Sequence, residues 1–156
     1  MLHFVQLSLL LGRGNELISY DRRENINHQN INKIKPYDKI HSISYKKLND
    51  STYRILCSAG RELLIADLVN NIFENSYLVQ FNDWISSVKY FEDSTFCILT
   101  AHNFAVHSNV GENQSLTTQE KLRCEENATL YCSKIYGKSW KNSIFITGSY
   151  GIFLSS

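Results

Sequence analysis

The chain has 156 residues, 16 Lys and Arg against 15 Asp and Glu, a formal net charge of +1, and 12% aromatic residues beside a single Pro. That length suits one domain with one core, and the aromatic-rich, proline-poor composition reads as packed and β-rich, with little linker or coiled-coil character. No stretch approaches the roughly 20 apolar residues of a membrane-spanning helix, and the charge is unevenly laid: ten basic against five acidic residues over 1–61, six against ten over 62–156.

The opening "MLHFVQLSLLLG" has no basic start and no A-x-A cleavage site, and Gln6 and Ser8 interrupt it, so it reads as a strand rather than a secretion signal. In "LLLGRGNELISYD" (9–21) a glycine-rich turn follows an apolar run. A phosphate cradle there would need a third glycine and a following helix; "ELISYD" reads as a strand, so Gly14 marks a hairpin. The polar run "RRENINHQNINKIK" (22–35) reads as a solvated loop. Next come "KIHSISYKK", the turn "LNDS", a second hairpin in "SAGRELLIAD" and the strand "SYLVQF". "WISSVKYF", the turn "FEDS", "TAHNFAVHSN" and a weaker strand around "TTQEKLRC" form a third group; "ATLYCSKIY" and "ITGSYGIFLSS" complete the chain. Their β-branched and aromatic content favours strands, and no window sustains helical periodicity.

These elements repeat. A shift of 46 lays Gly14 on Gly60, Glu16 on Glu62, Leu17 on Leu63 and Asp21 on Asp67; a further 42 brings His102 to the glycine position and Asn109 to the aspartate position. Short strands in units of that period are the mark of a WD-repeat β-propeller. The expected fold is therefore all-β: a partial propeller of about three and a half antiparallel blades, near 1–36, 37–81, 82–127 and 128–156, with the ring not closed. Three and a half blades leave apolar blade faces uncovered at both ends, so marginal stability and association are expected.

The segments "LLLGRGNELISYD", "SAGRELLIADL", "DWISSVKYFEDSTFCILTAHNFAVHSNV" and "ENATLYCSKIYGKSWKNSIFITGS" resemble the amino-terminal propeller of the WD-repeat protein 6 family. Its members are the non-catalytic partners of a tRNA 2′-O-ribose methyltransferase acting at the wobble nucleotide. The likeness runs from about residue 7 to 148, and its most specific pieces are "DWI", "LTAHN" and "LYCSKIYGKSW". The Trp-Asp dipeptide of WD repeats is replaced by Tyr20-Asp21, Ala66-Asp67 and Ser108-Asn109. Family members carry many more repeats, so the chain looks like an amino-terminal fragment or a truncated reading frame.

The resemblance implies a scaffold with a methyltransferase as protein partner and tRNA as a further partner; unpaired cysteines point to a cytoplasmic location. The propeller repeat places Arg13, Asn15, Arg61, Glu62, His102 and Asn103 on hairpin turns near the rim, and His41 and Trp84 on the links between blades; that this rim contacts partners is what the resemblance implies. Arg13 and Arg61 could grip a phosphate or carboxylate, or each could pair with a neighbouring acid such as Glu16 or Glu62. Asn103 either caps a turn or touches RNA; Tyr136 and Trp140 either stack on bases or sit in the core; His41 and Trp84 either fix blade geometry or bind. A protein-interaction propeller serving trafficking or another assembly without RNA is the alternative, and a non-functional truncated product a third.

No catalytic constellation can be assembled. Histidines 3, 28, 41, 102 and 107 show no metal-ligand spacing, and no nucleophile elbow or complete dinucleotide fingerprint occurs. No enzyme activity, catalytic residue, metal, cofactor or small-molecule substrate is expected. Cysteines 57, 97, 124 and 132 contain no C-x-x-C pair and read as reduced, buried thiols.

Overall fold

The computed structural model describes residues 2–5, 8–21, 32–34, 36, 38–92, 95–101, 103–110, 116–123, 144–148 and 151–155, and every regular element among them is a strand. They fall into two compact units, Met1–Gln80 and Phe81–Ser156.

The first unit holds two four-stranded antiparallel meanders. Strands β1 (Leu2–Val5), β2 (Ser8–Arg13), β3 (Glu16–Asp21) and β4 (Asn32–Ile34) pair in chain order, as do β5 (Ile40–Lys47), β6 (Thr52–Ala59), β7 (Glu62–Val69) and β8 (Ile72–Gln80). The second unit repeats the arrangement with β9 (Ile85–Tyr90), β10 (Phe96–Thr100), β11 (Asn103–Val110) and β12 (Leu116–Arg123), and adds the hairpin of β13 (Ile144–Gly148) and β14 (Gly151–Ser155).

Burial explains why β7 is a nearly unbroken apolar run. Strand side chains alternate between faces, so a strand covered on both sides needs apolar residues at every position. On one face Leu64 and Leu68 join Leu17, Ile43, Tyr53, Ile55 and Cys57 in a cluster that ties the first sheet to the second. On the other, Leu63 and Ile65 are equally buried. Each such side chain contributes about 1.5–3 kcal/mol by leaving water. Burial also pushes the Cys57 thiol up to about 12, which removes it from thiolate chemistry. Cys57 and Cys97 are both fully buried, whereas Cys124 and Cys132 lie outside the described residues.

The β7–β8 turn is made by Asn70 and Asn71, with φ of 48° and 70°. Positive φ at both central residues matches the right-handed strand twist, and Asn tolerates it better than other side-chain-bearing residues. The Ser19 hydroxyl of β3 donates to the Asn71 side-chain carbonyl, a second tie between the two sheets. Because the turn takes only two residues, pairing begins at Ile72, four residues before the expected "SYLVQF" strand. A bulge interrupts β8 where Tyr77 faces Ile65 but Glu74 faces Asp67. Asn75 lies inside it at φ 48°.

The polar run 22–35 needs correction at its end. Residues 32–34, read as the end of a solvated loop, form β4 against Leu17–Ser19. A short edge strand bonds along one side only, so polar sequence supports it. The expected strand over 128–136 lies outside the described residues, as do Tyr136 and Trp140.

Candidate functional site

In the first unit the two hairpin turns and the link between sheets converge. Gly14 and Gly60 open the β2–β3 and β6–β7 turns at φ of 58° and 62°, the left-handed region that a glycine enters without a Cβ penalty. The Ile40 amide donates to the Gly14 carbonyl at 2.7 Å, and Asn15 Nδ2 to the Pro36 carbonyl at 3.3 Å. From the other side Gly60 abuts Asp38: a Cβ added there would lie 2.8 Å from the Asp38 Cβ. Pro36, Asp38 and Ile40 of the link are therefore held by the two turns, and Arg13, Asn15, Lys39 and Arg61 are all exposed there.

The two arginines differ. Arg13 ends β2 opposite Glu16 and holds its carboxylate at 2.8 Å, the neighbouring-acid reading. With 68% of the arginine side chain in water, such a pair contributes about 0–1 kcal/mol. Arg61 sits exposed at the turn tip, and no acid holds it among the described residues. The acids are set back: Glu62 is buried and Asp38 half-buried. Three cations, Arg13, Lys39 and Arg61, stand against three acids, Glu16, Asp38 and Glu62, and the cations are the more exposed. His41 lies within β5 rather than in the link, and is exposed.

A feature without a local sequence signal crosses the second sheet. Lys46, Arg54, Asp67 and Glu74 stand in register on four successive strands. In the middle, Arg54 grips Asp67 through two bonds, Nε to Oδ1 at 2.8 Å and Nη2 to Oδ2 at 3.1 Å. Asp67 occupies the aspartate position of the repeat, so that residue is spent on a half-buried ion pair. The Tyr77 phenol nearby is held above its usual pKa, chiefly by burial, with Arg54 lowering it and Asp67 raising it.

In the second unit Trp84 is 40% exposed just before β9. Its amide donates to Asp83 Oδ1 at 2.8 Å, and its carbonyl accepts from the Ala101 amide at 2.9 Å, which fastens the segment to the β10–β11 turn. His102 lies outside the described residues, and Asn103 opens β11 opposite Arg123 instead of sitting in the turn. His107 is buried and stacks on Phe96 with centroids 5.3 Å apart and planes at 27°. Burial pushes its imidazole down to about 4. Among the described residues no group of three or more His, Cys, Asp or Glu is placed to hold a metal ion.

Successive four-stranded antiparallel meanders are the blades of a β-propeller fold of the WD-repeat type. Solved structures bear this out. A chain in the crystal structure of the mitotic checkpoint complex matches 96% of this chain with a TM-score of 0.66 at 12% identity. The WD40 domain of Neurospora crassa Pan2 matches 99% with a TM-score of 0.59 at 13% identity. This chain spans 44% and 45% of those two, less than half of each, and identities this low carry the fold alone. No family model matches the chain. No curated protein matches it either.

Proposed function

We propose that the chain is a non-catalytic WD-repeat scaffold in the cytoplasm that binds a tRNA 2′-O-ribose methyltransferase and helps present tRNA to it for methylation at the wobble position. The partner and the RNA come from the sequence resemblance to the WD-repeat protein 6 family. The single structural observation that supports an anionic partner is the turn surface of the first unit, where Arg61 and Lys39 stand exposed with the neighbouring acids set back.

The test is binding of tRNA and of the methyltransferase to the protein as a function of salt. Phosphate contacts release counterions, so tRNA affinity should fall steeply with added salt. Arg61→Glu should weaken tRNA binding several-fold and reduce the salt slope by about one, while leaving folding intact. Arg13→Glu is a less clean probe, because it also places a like charge on Glu16. Cells lacking the protein should lose wobble-position ribose methylation; unchanged methylation defeats the proposal. Salt-insensitive binding of protein partners with no RNA would instead support a propeller serving another assembly.

A further inference from the structure

The fourth strands of the three four-stranded sheets differ in how they guard their open edges. A strand bonded on one side only presents unpaired amides and carbonyls, and proteins usually protect such edges with lysines, other charges, prolines or bulges. Strand β4 carries Lys33, and β12 carries Glu120, Lys121 and Arg123. Strand β8 is protected in its first half only, by Glu74 and the Asn75 bulge. Beyond the bulge, Ser76–Gln80 reads Ser-Tyr-Leu-Val-Gln, without a charge, proline or glycine, and among the described residues it pairs with β7 alone. Leu78 in its centre is 41% exposed.

From this we infer that residues 76–80 are a self-pairing edge, at which β8 of a second copy of this chain adds in antiparallel fashion. A dyad through Leu78 sets Leu78 opposite its own copy, Tyr77 opposite Val79 and Ser76 opposite Gln80. Aromatic and β-branched residues are favourable cross-strand partners, and this register opposes no like charges, since Glu74 falls opposite Asn82. The contact is isologous and closes on itself, so it yields a dimer rather than a filament. Five residues a side make a small interface, and the dimer is accordingly weak and concentration-dependent.

Sedimentation velocity on the whole chain, from micromolar to millimolar concentration, tests this. The wild type should show a monomer–dimer equilibrium, and amides of 76–80 should gain hydrogen-exchange protection as concentration rises. Leu78→Lys and Leu78→Glu, at an exposed position, should each keep the native far-ultraviolet spectrum and weaken self-association at least about tenfold. Mixing the two should restore association, because only across such a dyad does residue 78 meet itself. Ile72→Lys, on the far side of the bulge, should leave dimerisation unchanged. A monomeric wild type overturns the inference. So does association that persists in the Leu78 variants, that is lost in Ile72→Lys, or that mixing fails to restore.

Discussion

Replacing each hairpin glycine by alanine separates what the turn conformation costs from what the clamp on the link costs. Gly14 and Gly60 have nearly the same φ, 58° and 62°, so alanine in the left-handed region should cost each about 1–2 kcal/mol. Around Gly14 nothing lies within 4 Å of an added Cβ. At Gly60 the same atom would stand 2.8 Å from Cβ and 2.9 Å from Cγ of Asp38, and would overlap its Oδ2. Asp38 cannot simply rotate away, because its own Cβ is in the way and its Oδ1 accepts the Lys39 amide at 2.6 Å. Shifting the link to relieve such overpacking costs about 1–3 kcal/mol more. Gly14→Ala should thus lower stability by about 1–2 kcal/mol and Gly60→Ala by about 2–5 kcal/mol. Urea titrations followed by far-ultraviolet circular dichroism measure both, since both tryptophans, Trp84 and Trp140, belong to the second unit and report poorly on the first. Adding Asp38→Gly to Gly60→Ala should recover the excess and leave the conformational part. Equal losses in the two alanine variants, or an excess that survives Asp38→Gly, would refute the clamp.

The remaining expectations concern buried polar groups. His107 has its folded pKa lowered from 6.5 to about 4, so the unfolded chain takes up a proton first as pH falls. The stabilisation is complete above pH 6.5 and drains away down to about pH 4, by up to about 1.4 kcal/mol per pH unit. Urea titrations over that window should show the slope, and His107→Gln should flatten it; an unchanged slope places the acid sensitivity elsewhere. Arg54→Met leaves the mostly buried Asp67 carboxylate without its guanidinium and should cost about 2–4 kcal/mol, measured by thermal melting; a loss under about 0.5 kcal/mol would show that the pair is solvated. Ser58 is fully buried and its hydroxyl has no hydrogen-bond partner among the described residues, so Ser58→Ala should leave the melting temperature unchanged or raise stability by about 1 kcal/mol, and a clear loss would reveal a bond to that hydroxyl.

How far the fold can be read from sequence depends on whether its cause is local. A hairpin announces itself by a glycine between two β-rich runs, and both Gly14 and Gly60 stand where their repeat puts them. The all-β propeller fold follows from that recurrence. Strand β4 could not be read in this way, because an edge strand needs neither alternation nor apolar residues, and "NKI" has little of either. The Asn70–Asn71 turn carries no such mark either, since it lacks the glycine usual in a primed turn. Long-range pairings leave no local trace at all. Arg54 meets Asp67, and Asn15 meets Pro36, only once strand register and the link are fixed. Thus Arg13 with Glu16, three residues apart, was legible as a pair, whereas the setting of Arg61 required the structure.

The bond between Ser19 and Asn71 spans 52 residues of chain. During synthesis the first sheet emerges from the ribosome well before the partners that seal it, and at about 5–20 residues per second the wait is about 3–10 seconds. Throughout that interval Leu17 has no Leu64 or Leu68 to cover it, and the Ser19 hydroxyl has only water. The first four strands are thus a nascent-chain liability, open to chaperones and proteases until Asn71 has itself emerged.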